Sequence, residues 1–142
     1  MVVRYKATKH GQVELTQDEQ SAYELMYDPL RSAKNRKLME LNDKYNSILS
    51  DAHCNTPLGF PVDSGYENLI DFKEGLSMQY LTVMDYNNQP HDVSAEQMQT
   101  IIDAIREWGL AVKLRKWALR EEINNATLET IDAIDVTTGW PE

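Results

Sequence analysis

Two segments of the chain alternate apolar and polar residues around a turn. The first covers residues 3–15, with a turn at residues 9–12, and the second covers residues 81–93, with a turn at residues 85–90. Alternation places every second side chain on one face of a strand, and Asn, Asp, Gly and Pro favour tight turns. The pattern predicts two short β-hairpins. Residues 53–64 contain two prolines and a glycine, so we expect a loop or a short strand there.

Apolar residues spaced three or four positions apart predict the helices. Thr16 with Glu19, and Ser94 with Gln97, each have the spacing of a capping box, in which a hydroxyl and the residue three positions later satisfy helix N-terminal groups. Helices are therefore expected after residues 16 and 94. Pro29 could end the first helix or begin the next. The predicted helices cover residues 30–52, 65–79 with a softening at residue 75, and 95–125, and one or two further turns follow within residues 127–134.

The helix over residues 30–52 has an apolar seam with heptad-like spacing. Its members are Leu38, Leu41, Tyr45, Ile48 and Ala52. The flanking positions are strongly polar, so the seam is narrow and suits packing against one other helix. That helix could belong to the same domain or to a second subunit, and two repeats leave both alternatives open.

The helix over residues 95–125 has the strongest apolar face of the chain. Its apolar stripe consists of Met98, Ile101, Ile102, Ile105, Trp108, Val112, Leu119 and Ile123. Trp108 and Trp117 could mark a ligand site, but aromatic residues on an apolar helix face are mostly core, so we expect both in the core. At about 1.5 Å per residue the helix spans roughly 45 Å, so one end could project from a compact domain.

These elements predict an α+β fold that is mainly helical, with two short hairpins and a long C-terminal helix. The 142 residues fit one domain, or a small domain that carries an extended helical arm. We divide the chain into residues 1–52, a hairpin with helices, and residues 53–142, an α+β unit with an acidic, non-helical tail.

Composition and charge limit the classes of partner. With 42% hydrophobic and 26% charged residues, the chain resembles an ordinary soluble protein. Its net charge of −9 argues against nucleic acid and against an anionic membrane as ligands. No apolar run is long enough for a membrane span or a secretory signal, so we expect a cytoplasmic protein. Residues 121–142 contain six acidic side chains and no basic residue. This segment is either a solvated acidic end or a docking segment for a basic partner.

The sequence carries no catalytic, cofactor or metal signature. The glycines stand alone rather than in a phosphate-binding loop, and Cys54 lacks the setting of an activated nucleophile. His10, His53 and His91 fall in predicted turns or loops, where we expect solvated side chains. We therefore expect a protein that is not an enzyme and holds no cofactor or metal. A site assembled from distant segments, the alternative, leaves no signature in the sequence.

Short motifs along the chain resemble those of proteins encoded in the tail-fibre region of tailed phages and prophages. They are the opening Arg4-Tyr5-Lys6-Ala7-Thr8 with Gly11, then Leu15-Thr16 with Glu19, the Gly59-Phe60 loop, the turn at residues 85–88, and Trp117-Ala118-Leu119-Arg120 with Trp140-Pro141. The resemblance implies a tail accessory protein that acts in the cytoplasm of the infected bacterium. It implies either an assembly chaperone for a fibre or a minor component of the virion tail.

An amphipathic helix that covers the apolar surface of an unassembled fibre would explain a chaperone role. An alternative class is an inhibitor whose acidic face occupies the basic groove of a host nucleic-acid-binding protein. In the chaperone hypothesis, the two apolar helices serve the core, a partner or a second copy, and Trp140 with the acidic end is a mobile anchor. The candidate partner-binding residues are Leu38, Leu41, Tyr45, Ile48, Ile101, Ile105, Trp108, Val112 and Trp140.

Overall fold

The structure, a computed structural model, describes residues 5–9, 11–26 and 28–142, and of residues 24–26 it describes the backbone alone. The expected α+β class is confirmed, because helices dominate and the strands form antiparallel pairs. The elements are β1 (Tyr5–Thr8), β2 (Gly11–Glu14), α1 (Gln17–Met26), α2 (Pro29–Ser50), β3 (His53–Asn55), β4 (Pro61–Asp63), α3 (Tyr66–Ser77), β5 (Thr82–Met84), β6 (Pro90–Asp92), α4 (Ala95–Asn125) and a 3₁₀ turn (Ile131–Ala133).

Both predicted hairpins are present, and a third lies where the sequence predicts a loop or short strand. β1 pairs with β2 and β5 pairs with β6, whereas Val3, Arg4 and His10 of the first prediction lie outside the described residues. In the third hairpin, β3 pairs with β4 and brings buried Cys54 opposite buried Val62. Gly59 adopts φ +90° in the connection, a left-handed conformation that glycine adopts without strain.

The helices begin at the predicted caps. The Thr16 hydroxyl accepts a hydrogen bond from the Glu19 N–H at 3.3 Å, and both bonds of the Ser94 capping box are formed. Asp28 caps α2 and Pro29 is its first residue, so the proline begins a helix rather than interrupting one. α3 continues through Gly75 without a break, and a Cβ there would lie 3.0 Å from the Tyr80 carbonyl oxygen.

The core consists of two apolar clusters along α4. The first surrounds Ile101 and Ile105 and includes residues of β3, β4 and β5. The second surrounds Leu119 and Ile123 and includes Leu41 of α2. α2 packs against α4. The boundary proposed after residue 52 lies between these two helices, so both sides of it contribute to the core. Buried side chains from Met98 to Ile123 show that neither end of α4 projects.

The segment after α4 folds back over the second cluster. Its buried side chains are Ile131, Ile134 and Val136. From α2, Lys34 donates a hydrogen bond to the Asn124 carbonyl at 2.7 Å and Lys37 donates to the Ile134 carbonyl at 2.8 Å. Two lysines of α2 therefore bind backbone carbonyl groups of the acidic C-terminal segment. The Asn124 carbonyl lies at the C-terminus of α4, where the helix dipole is negative and favours a cation.

Candidate partner-binding surface

Most of the candidate partner-binding residues lie in the core. Five of them are buried within the chain: Leu41, Ile101, Ile105, Trp108 and Val112. Leu38, Tyr45 and Ile48 are half-buried against the same clusters. The heptad-like seam of α2 therefore packs within its own chain, and the stripe of α4 serves the core rather than an open groove.

Trp140 is packed rather than held out as a mobile anchor. Its half-buried ring contacts both core clusters, and its Nε1–H donates a hydrogen bond to the Val136 carbonyl oxygen at 2.9 Å. Arg115 donates to the Thr138 carbonyl oxygen at 2.9 Å, which holds the tail against α4. The structure therefore places Trp140 docked on the core rather than mobile, and its role in binding a partner stays a prediction.

Trp117 is not a core residue, contrary to expectation. It is 56% exposed, and on the same helix Leu110 is 56% and Leu114 is 51% exposed. At about 100° per residue, Leu114 lies roughly opposite Ile105, which faces the core. We call Leu110, Leu114 and Trp117 the outer stripe. Their spacing of four and three residues places them on one face of α4, and this spacing is the signal by which the sequence could have identified them.

An apolar cleft of about 540 Å³ lies between α2, α3 and α4 beside the outer stripe. Leu49, Leu69 and Trp108 form part of its walls, and the exposed ring of Tyr66 stands at its edge. Leu110 belongs to both the cleft and the outer stripe, so the two form one surface. No local pattern in the sequence indicates the cleft, because its residues come from three helices whose relative positions are set by the tertiary fold.

His91 is not a free loop residue but part of a hydrogen-bonded cluster. Its Nε2 lies 2.7 Å from Oδ2 of buried Asp85, and its ring stacks on Phe60 with centroids 3.8 Å apart. Asp85 Oδ1 also accepts backbone hydrogen bonds from Gln89 at 2.9 Å and Asn87 at 2.8 Å. The Gln89 N–H and then His91 hold the pKa of Asp85 below its usual value.

A second cluster joins the end of α2 to the two central hairpins. The Tyr86 hydroxyl donates to the Asp51 carboxylate at 2.9 Å, and the exposed ring of His53 stacks on Tyr86 with centroids 4.1 Å apart. Asp51, as acceptor of this bond, raises the pKa of Tyr86. The Tyr86 N–H donates to the Pro61 carbonyl oxygen at 2.9 Å. Within each cluster, the polar groups form hydrogen bonds with one another. The stacking of His91 on Phe60 and the hydrogen bond from Tyr86 to Pro61 connect β5–β6 with β3–β4.

The described part of the chain contains no group of three or more His, Cys, Asp or Glu side chains placed to hold a metal ion. Within the same residues, no helix is long and apolar enough to cross a membrane. The apolar cleft with the outer stripe is the candidate functional site, because it joins an apolar cavity to three exposed, large apolar side chains on one helix face.

A family model described as "Domain of unknown function (DUF4376)" matches residues 33–138, and the chain therefore belongs to this family. The match includes most of α2 and all of α3 and α4, so it contains the whole apolar cleft and outer stripe. Comparisons with curated proteins and with solved structures found no match.

Proposed function

We propose that this DUF4376 protein is a non-enzymatic accessory protein of a phage tail that binds unassembled tail-fibre subunits as an assembly chaperone. The observation that carries the proposal is the apolar surface formed by the outer stripe and the cleft. The motifs shared with proteins of the tail-fibre region supply the class of partner. The cytoplasm of the infected cell, where fibres assemble, is the place of action.

The outer stripe has no function in the core, since α4 already buries its opposite face in both clusters. Isolated exposed apolar residues are common on proteins, but a continuous apolar patch beside a cleft is typical of a binding surface. Leucine and tryptophan at positions i, i+4 and i+7 are the anchors with which one helix recognises a complementary surface. Each half-exposed side chain of the stripe would contribute about 1 kcal/mol when covered.

Partial exposure of this surface fits a partner that later leaves. A fibre subunit exposes apolar, interface-forming segments before it assembles, and these aggregate unless they are covered. A patch of three large side chains and one cleft is small enough to bind reversibly, whereas permanent subunit contacts are usually larger and more apolar. The correct fibre contacts would then displace the chaperone.

The first test is the binding of purified chain to the fibre subunits of the phage or prophage that encodes it. We expect Leu114→Ser and Trp117→Ser each to weaken binding about fivefold, which corresponds to about 1 kcal/mol. The matched control is Leu128→Ser, because Leu128 is 56% exposed like Leu110 but lies outside the cleft and the outer stripe. Equal binding by all three variants would contradict the assignment of this surface.

The second test is mass spectrometry of purified particles beside the lysate. The chaperone proposal expects the protein in the lysate with the fibre subunit and its absence from particles. A fixed copy number per particle would make it a structural component of the tail instead.

A further inference from the structure

Residues 137–142, which we call the strap, are held to the rest of the fold mainly by one guanidinium group and one indole ring. Arg115 of α4 donates hydrogen bonds from Nη2 and Nε to the Thr138 carbonyl oxygen, at 2.9 Å and 3.3 Å. The half-buried ring of Trp140 contacts both core clusters. The other hydrogen bonds of the strap stay within residues 135–140 in the described structure. The strap can therefore lift from the core without breaking a hydrogen bond of any helix or hairpin.

Two cavities adjoin the strap. One, of about 510 Å³, lies between the strap, the end of α2 and β3, and the other, of about 380 Å³, lies between the strap, β3 and α4. Both cavities are lined by Asn55 of β3, by Trp108 of α4 and by the strap residues Pro141 and Glu142. Because the two cavities share these walls, lifting of the strap would join them into one groove along β3 and α4.

The space between the two core clusters that the Trp140 ring occupies, which we call the gap, belongs to the matched family region, whereas the ring does not. All buried residues of both clusters, from Ala33 to Val136, lie within the matched residues 33–138, and Trp140 lies beyond them. The Trp140 N–H donates to the Val136 carbonyl oxygen of its own segment, so the gap supplies apolar contacts and no hydrogen bond to the ring. The gap therefore requires a large aromatic ring on a non-helical segment, rather than this particular segment.

We infer that the strap is an exchangeable plug that opens while the rest of the fold stays intact, and that the gap then binds an indole carried by a non-helical segment of a partner protein. A half-buried indole removes about 100 Å² from water. At the usual free energy per area of buried apolar surface, this favours the closed strap about seventyfold. About one molecule in seventy is then open, which is a normal population for a local opening. The inference concerns a different surface from the outer stripe and does not rest on the proposed function.

The test offers the strap to the full chain as a separate peptide. The probe is a fluorescein-labelled peptide with the sequence of residues 136–142, Val-Thr-Thr-Gly-Trp-Pro-Glu. In the parent chain the strap occupies the gap, so the peptide binds only the open fraction, whereas Trp140→Ala vacates the gap. By fluorescence anisotropy, we expect the peptide to bind Trp140→Ala at least about thirtyfold more tightly than the parent. An effective strap concentration of about 1–10 mM predicts a dissociation constant of about 0.1 mM or lower for this variant. The amide NMR signals of Asn55 and Trp108 should shift with the bound peptide.

Two further variants and a control peptide assign the binding to the gap. Trp117→Ala is the matched control, because it removes an exposed indole from α4, and it should bind the peptide as weakly as the parent does. Gly139→Ala keeps Trp140 but strains the strap, because Gly139 has φ +78° and a Cβ there would lie 2.8 Å from Arg115 Nη2. We expect this variant to bind the peptide at least about threefold more tightly than the parent. A peptide with Ala in place of Trp should not bind.

Circular dichroism first establishes which variants are folded. No binding to folded Trp140→Ala, or equally tight binding to this variant and to the parent, overturns the inference. Where Trp140→Ala does not fold, Gly139→Ala decides, and binding no tighter than that of the parent overturns the inference. Unfolding of both variants overturns it as well, because the strap would then not open separately from the core. None of these results alters the fibre-binding test with Leu114→Ser and Trp117→Ser, whose failure would overturn the proposed function itself.

Discussion

Replacement of Trp140 by Ala tests whether the C-terminal tail is part of the core. A buried indole removes about 150–250 Å² from water, so the half-buried ring of Trp140 removes about 100 Å². At about 25 cal/mol per Å², this contributes about 2.5 kcal/mol. The hydrogen bond from Nε1 to the Val136 carbonyl oxygen contributes up to about 1 kcal/mol more. We therefore expect Trp140→Ala to lower the free energy of unfolding by about 3 kcal/mol.

The assay is urea unfolding followed by far-ultraviolet circular dichroism. With a slope of about 2 kcal/mol per molar urea, the midpoint should fall by about 1.5 M. Trp117→Ala is the matched control, because it removes the same ring from an exposed position of α4. Alanine is the best helix former, so the control midpoint should move by less than about 0.3 M.

Two results would refute this reasoning. A Trp140→Ala midpoint within 0.3 M of the parent chain, as expected at a normal exposed site, would mean that the tail does not pack against the two clusters. A shift of the Trp117→Ala midpoint as large as that of Trp140→Ala would mean that the outer stripe is buried. Either result would remove the structural basis for assigning Trp117, rather than Trp140, to the binding surface.

Three further predictions concern single positions. Ser64→Ala should leave the free energy of unfolding unchanged or raise it by up to about 1 kcal/mol, because the buried Ser64 hydroxyl has only the weakly hydrogen-bonding Cys54 thiol beside it. A clear loss of stability in urea unfolding would contradict this reasoning. Leu41→Ala should lower the free energy of unfolding by about 3 kcal/mol, whereas Met39→Ala, exposed on the same helix, should have almost no effect. The pKa of Asp85 in the folded state lies below its unfolded value of about 3.9. The Asp85 carboxylate therefore stabilises the fold above about pH 4, and this stabilisation is lost as the pH falls through the folded-state pKa. In a series of unfolding curves, the stability difference between the parent chain and Asp85→Asn should shrink over that acidic range, and a constant difference would show that the Asp85 charge is not responsible.

Local chemistry made much of the fold predictable. The Ser94 hydroxyl and the Gln97 amide can satisfy the first N–H groups of α4 whatever the rest of the chain does, so its start was readable from four residues. The stripe from Met98 to Ile123 was also predictable, because a helical period places its members on one face. These signals depend on neighbours within about seven positions of one another.

The candidate surface depended on contacts between distant segments. The cleft takes its walls from α2, α3 and α4, which are separated along the chain. Outside this surface, the hydrogen bond from Tyr86 to Asp51 likewise spans 35 positions. In the third hairpin, Gly59 adopts a positive φ in the connection, and Cys54 pairs with Val62. The prolines of this segment favour a loop, so the sequence did not predict the pairing.

The two tryptophans of α4 separate what the sequence determines from what the tertiary structure determines. The sequence by itself determined that α4 is a helix with apolar residues on more than one face, since this follows from propensity, capping and period. Only the tertiary structure decided that α2 and the hairpins cover Trp108 and leave Trp117 exposed. The physical reason is that burial depends on which face the other elements pack against, and helical period alone carries no information about their position.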